Sequence, residues 1–307
     1  MIRFTLQNLA ARALAPLLLT ALPLAAVAET RDLIIVAGQS NAVGFDAYAE
    51  DLPEDPGDAK TMFWWRVGDP PPDEFDSTSA RQWTHLQFQP RTEAMSGEAA
   101  KKTGRQYGNF NKKSKGGFGP EIGMVRTLAL REKRPLAVIK TAFSGTSVAG
   151  DWNVERPGEA DPCYRAMIDE AREALRLAQQ KGVTLRPRAF VWVQGESDAN
   201  AKDGPVYAGN LSKMLGKLRS DLNAPDMILL LGVNTRFGNG KNTFMPEIVE
   251  AQKEVASKLA RAGYVDTAGA ETLPPSHTHF TPQGTLEVGR RFAEALLAKE
   301  ATLPNSR

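Results

Sequence analysis

The chain has one cysteine, Cys163, in 307 residues. A single cysteine forms no internal disulfide and rules out a cysteine-built metal site. Cys163 lies in Asp161-Pro162-Cys163-Tyr164 at a helix start, and a buried, inert thiol is expected there. Histidine is nearly as scarce, with only His85, His277 and His279. Long apolar runs are missing too. The stretch from Ala13 to Val27 is interrupted by Pro16 and Pro23 and falls short of the about 20 residues that a membrane span needs. Arg3 and Arg12 precede or open it, and Ala26-Val27-Ala28 ends it with small residues. This pattern reads as a secretory signal peptide over residues 1–28, cut after Ala28, and implies a periplasmic or secreted protein. No membrane insertion is expected after the cut. Net charge is also lacking. Without Arg3 and Arg12 the 38 basic residues fall to 36, matching 36 acidic ones. Nucleic-acid-binding domains are usually strongly basic, so no nucleic-acid partner is expected. No internal repeat and no linker is visible. Residues 29–301 therefore read as one domain, with a disordered tail at 302–307.

Apolar runs alternate with helical spacing. Leu33-Ile34-Ile35-Val36-Ala37 reads as a buried strand ended by Gly38. Residues 46–118, rich in Pro, Gly, Asp and Lys, read as an irregular surface insertion bordering a site, with a second strand at Thr61–Val67. After it come a helix from Ile122 to Lys133, a strand at Leu136–Ala142 and a helix at Pro162–Gln180. A strand at Arg188–Gln194 and a helix at Val206–Leu222 follow. The chain closes with a strand at Met227–Val233, a helix at Pro246–Ala262, a short strand at Tyr264–Thr267 and a helix from Pro282 to Lys299. Thr281 is the expected cap of that last helix. Strands alternating with helices of this length predict an α/β fold with a central parallel sheet covered on both faces.

In such a sheet the carboxyl ends of the strands share one edge, where ligands bind. Three strand ends carry polar turns: Gly38-Gln39-Ser40-Asn41, Phe143-Ser144-Gly145-Thr146-Ser147 and Gln194-Gly195-Glu196-Ser197-Asp198. A serine nucleophile needs a base, usually histidine. His277 and His279 lie in a short loop before the last helix, on the same edge. His279, nearer the helix cap, is the preferred base. The imidazole needs an acceptor on its far nitrogen, and Glu196 and Asp198 are the available carboxylates.

These blocks, with Phe118-Gly119-Pro120-Glu121 and His279-Phe280-Thr281-Pro282-Gln283-Gly284, resemble the SGNH hydrolase superfamily. They resemble most its sialate O-acetylesterase and carbohydrate esterase family six branch. The resemblance implies a three-layer, flavodoxin-like fold and hydrolysis of acetyl esters on sugars without a cofactor. Carried over by position, Ser40 is the nucleophile and His279 the base, with the N–H groups of Ser40 and Gly145 as oxyanion donors. The wider superfamily places an asparagine where Ser197 stands, so Asn41 or Gln194 is expected to substitute; Gln39 is a further candidate for contacting substrate. The superfamily also often places an aspartate where Ser276 stands. Glu196 is then the first choice for the orienting carboxylate, Asp198 the second and a backbone carbonyl the third. Trp64, Trp65, Trp83 and Trp152 are candidate sugar-stacking faces, with at least two expected in core or rim packing. Two other readings stand beside this one. One is an esterase or lipase of the same superfamily acting on another ester. The other is an exported glycan-binding protein without catalysis, which Ser276 would explain.

Overall fold

A computed structural model describes residues 29–72, 74–92, 109–159 and 161–303. The expected leader, part of the polar stretch after Lys101 and the last four residues of the tail lie outside them. Ten strands and six helices of the described residues position the site. β1 (Glu29–Gly38), β7 (Leu136–Phe143), β8 (Val183–Val193) and β9 (Ile228–Gly232) form the centre of the sheet. β2 (Met62–Gly68) and β10 (Ala262–Tyr264) flank them, and the order from β10 is β10-β9-β8-β1-β7-β2, with one further strand beyond β2. The pairings from β10 to β2 are all parallel.

The sheet departs from the wholly parallel expectation at one edge. β3 (Ser77–Thr78) and β4 (Thr84–His85) both pair with β2 antiparallel. The chain between β2 and β3 is too short for the crossover that a parallel partner requires. The segment read as an insertion thus contributes strands to the main sheet. It also supplies β5 (Gln89–Pro90) and β6 (Gly116–Gly117), which pair with each other. β8 starts at Val183, five residues before the expected Arg188, because Pro187 lies inside the strand. Pairing with β1 slips one residue there, from Leu33↔Pro187 to Ile34↔Ala189. A bulge accommodates a residue that has no N–H to donate.

The alternation of β1 explains the layers. Leu33, Ile35 and Ala37 face one core with α3 (Pro162–Gln180), α4 (Gly204–Asp221) and α5 (Met245–Lys258). Ile34 and Val36 face the other, with α1 (Ser40–Val43), α2 (Glu121–Arg131) and α6 (Pro282–Thr302). Thr281 caps α6 through a 3.0 Å bond from Gly284 N–H to its hydroxyl. Cys163 is buried in the first core, and burial pushes its thiol well up. Trp64 and Trp152 are fully buried and Trp65 nearly so. Trp83 packs edge-on against Trp64 and donates to Ala174 O at 2.9 Å. These tryptophans hold the core rather than face a sugar.

Register delivers the functional edge. Gly38 aligns with Ala142 on one side and Val193 on the other, and Val193 aligns with Gly232. The four central strands therefore end along one line, and the turns that follow them are neighbours. A 590 Å³ cleft lined by Arg31, Lys60, Arg134 and Leu136 lies at the opposite edge, where β1 and β7 begin.

Candidate active site

Gly38 makes the turn that carries Ser40. Its φ is +142°, and a Cβ there would sit 2.1 Å from Val193 O. Only glycine fits, and Gln39 N–H then reaches Val193 O at 3.1 Å. Ser40 opens α1, so its amide is among the first N–H groups of a helix, which lack an intrahelical acceptor. Gly145, in the turn after β7, is exposed with φ +72°.

Asn41 connects this turn to the histidine loop. Its Nδ2 donates to Thr278 O at 3.1 Å and its Oδ1 accepts from Phe280 N–H at 3.0 Å. The neighbour of Ser40 thus grips the chain on both sides of His279. The ring of Phe45 lies 5.0 Å from that of His279. Asn41 and Phe280, 239 positions apart, are thereby hydrogen-bonded.

The carboxylate on His279 is Asp46. Nδ1 of His279 lies 2.6 Å from Asp46 Oδ2, and both side chains are largely buried, 15% and 13% exposed. The second oxygen of Asp46 accepts from Asn111 Nδ2 at 2.6 Å, and Asn111 N–H donates to Phe45 O at 3.1 Å. Burial alone would raise the Asp46 carboxyl. The bond to His279 and its charge, with Asn111 and Lys113, outweigh this and hold it below the usual range. An anionic Asp46 fixes the proton of His279 on Nδ1 and leaves Nε2 free to accept one.

The structure overturns Glu196 as the orienting carboxylate. Glu196 is 3% exposed, and its Oε1 accepts from Asn41 Nδ2 at 2.7 Å and from Asn234 N–H at 3.3 Å. Burial raises its carboxyl above the usual range, against those bonds and the charge of His279. Asp198 is not on the imidazole either. It accepts from Val148 N–H at 2.9 Å, Ala149 N–H at 3.1 Å and Gln194 Nε2 at 2.6 Å, tying the third turn to the second. Burial nonetheless pushes Asp198 up to about 6.

The side-chain oxyanion candidates are likewise occupied. Both Nδ2 hydrogens of Asn41 go to Glu196 and Thr278. Both Nε2 hydrogens of Gln194 go to Thr146 O and Asp198. Gln39 differs. Its Oε1 accepts from Ser197 N–H at 3.2 Å, while its Nε2 donates to nothing among the described residues. His277 is held apart, with Nδ1 2.7 Å from Thr272 Oγ1 and Nε2 3.4 Å from the Arg236 guanidinium. His85 is exposed on β4.

Sequence reasoning missed Asp46, Asn111 and Asn234. Asn234 follows β9 and donates to His277 O at 2.8 Å and Thr278 O at 3.1 Å. It was findable, because the strand-end rule applies to a fourth strand as well as to three. Among the described residues no group of three His, Cys, Asp or Glu side chains could hold a metal ion.

Residues 30–298 match the carbohydrate esterase family described as sialic acid-specific acetylesterases. The chain belongs to that family. The family is one of carboxylic ester hydrolases, and the α/β architecture agrees with it. A probable carbohydrate esterase of Arabidopsis thaliana is 26% identical over 186 residues, 59% of this chain and 64% of that relative. The match thus spans a little under two thirds of the relative's length. The solved structure from the same Arabidopsis locus has a TM-score of 0.61 at 19% identity, covering 87% of this chain and 98% of that one. NanS superposes with a TM-score of 0.60 at 19% identity, over 90% of this chain and 99% of its own. A carbohydrate acetylesterase from Xanthomonas citri gives 0.56 at 16% identity, over 86% and 55%. At these identities the structures are similar in fold.

Proposed function

We propose that this protein is an exported serine esterase that removes O-acetyl groups from carbohydrates, sialates or acetylated xylans among them. One observation carries the reading: a histidine held on Nδ1 by a carboxylate at 2.6 Å, in a loop clamped to the residue beside Ser40. The family description supports the sugar ester as substrate, and the pattern of residues 1–28 supports export.

Ser40 Oγ attacks the acetyl carbonyl as its proton passes to His279 Nε2. Asp46 accepts a hydrogen bond from Nδ1–H and stabilises the imidazolium that forms, without taking the proton. The developing oxyanion is met by the N–H groups of Ser40 and Gly145, and one such donor is worth roughly 10²–10³ in rate. The C–O bond to the sugar breaks, and His279 returns the proton to the leaving hydroxyl. His279 then deprotonates a water that attacks the acetyl-serine, and acetate leaves with Ser40 restored. Gln39 Nε2 remains free to contact the substrate.

Asp46 also bears on the non-catalytic reading. That reading rested on Ser276, and a carboxylate on His279 from another segment supports the catalytic reading instead. Acetate release from p-nitrophenyl acetate and from O-acetylated sialic acid tests the proposal. We expect Ser40→Ala to lower kcat by at least about 10³-fold with the thermal transition unchanged. A folded Ser40→Ala variant as active as the wild type, or a wild type that binds acetylated sugars and releases no acetate, overturns it.

A further inference from the structure

The Phe118-Gly119-Pro120-Glu121 block takes no part in the chemistry above, and neither does a lysine beneath it. Lys140 is on β7 and fully buried. Its neighbours on that face of the strand are Val138 and Ala142, both in the apolar core shared with α1, α2 and α6. An ammonium in such a place is costly unless it is paired and hydrogen-bonded. Lys140 Nζ makes three bonds: to Glu121 Oε1 at 2.9 Å, Gln89 Oε1 at 2.6 Å and Val43 O at 2.9 Å.

The third bond is the informative one. Val43 is the last residue of α1, the four-residue helix that Ser40 opens. A helix of one turn does not hold itself, because nucleation fixes several residues for a single bond. Its last carbonyls lack partners and carry partial negative charge, which a cation there satisfies. Glu121 in turn accepts from Gly119 N–H at 2.9 Å. A Cβ on Gly119 would meet Ala42 O at 2.3 Å and Lys140 Nζ at 2.7 Å, so glycine is what lets this loop close on α1. The other end of α1 is fixed by Gln39 and Asn41, as described above. Lys140 and Glu121 grip the end that those residues leave.

We propose that the buried Lys140–Glu121 pair is a positioning device that holds α1, and with it Ser40, in register for attack. Its kinetic consequence rests on Ser40 being the nucleophile; its structural consequence does not. Removing the pair leaves the acyl and sugar contacts in place and displaces the nucleophile, which lowers kcat and spares KM. A misplacement of about 1 Å can cost roughly 10²-fold.

The test separates positioning from stability. Lys140→Met alone strands Glu121 in the core and lowers Tm. Lys140→Met with Glu121→Leu removes both charges, and replacement of a buried pair by apolar residues commonly restores stability. With Tm restored, we expect kcat to remain about 10- to 100-fold below wild type and KM to stay within about threefold. Amide exchange across residues 41–47 should be faster than in the wild type, with the rest of the sheet unchanged. Lys140→Met with Glu121→Gln keeps an acceptor for Gly119 and serves the same comparison should the leucine variant fail to fold. A folded double variant with wild-type kcat and wild-type exchange over 41–47 overturns the proposal. If the wild type releases no acetate at all, the esterase reading fails while the exchange measurement still decides this one.

Discussion

Two regions bring carboxylates to the same edge of the sheet, and they use them differently. The turn after β8 holds Glu196 and Asp198 buried among amide donors from the turns after β1, β7 and β9, so each acid fixes that turn against its neighbours. The segment after α1 holds Asp46 at the rim, with one oxygen on Asn111 and the other on His279. The regular region builds the frame and the irregular one completes the imidazole. All three are desolvated, and the difference lies in whether a partner outweighs that burial. Burial raises Glu196 and Asp198 above the usual carboxylate range. Asp46, facing a histidine and an amide, is held below it. A group kept anionic suits the stabilisation of an imidazolium; a deeply buried one suits a fixed structural bond.

The comparison breaks or stands on the two acids first. We expect Asp46→Asn to lower kcat by about 10³- to 10⁴-fold, because asparagine can hold His279 in the wrong tautomer. Glu196→Gln keeps an acceptor for Asn41 and Asn234 and should stay within about tenfold. Acetate-release kinetics on both variants decide the matter, and the reverse ranking would return the imidazole to Glu196. The support of Asp46 is the next test. Asn111→Ala should cost about tenfold in the wild type and almost nothing in an Asp46→Asn background. Additive losses would mean that Asn111 acts on something other than Asp46.

The smallest effect is on stability, in a second carboxylate of the irregular region. Asp76 lies 2.8 Å from Arg66, and burial pushes it up to about 7 despite that partner. A carboxyl whose folded pKa lies above its unfolded 3.8 binds its proton more tightly in the folded state. Its contribution therefore falls as pH rises from about 4 to about 7. Asp76→Asn does not titrate, so its Tm relative to wild type should shift upward across that window. A Tm difference that is constant from pH 4 to pH 7 would show that Asp76 is not titrating there.

Much of the fold was legible because burial leaves its mark locally. Continuous apolar runs gave β1, β7 and β9, and Asp161-Pro162 and Thr281-Pro282 marked the starts of α3 and α6. The misreadings came where a local rule met a tertiary accommodation. The strand expected from Arg188 begins at Val183, with Pro187 beside a bulge inside it. The expected strand at Tyr264–Thr267 is instead Ala262–Tyr264, paired with β9. That the turn of Ser40 and the loop of His279 lie at one edge was legible, because strand ends in a parallel sheet share an edge. Asp46 was not, because it follows α1 in a stretch without periodicity, and no spacing connects it to a histidine 233 residues later.

The sequence by itself determined the alternation of strands and helices, the turn that presents Ser40 and the loop that carries His279. Each of these follows from residues near one another in the chain: apolar periodicity, a glycine, a cap. Only the tertiary structure decided that Asp46 is the carboxylate on His279 and that Lys140 lies under α1. Those are long-range electrostatic choices. They depend on which polar groups remain unsatisfied once the backbone bonds are made, and that is settled only when the whole chain has packed.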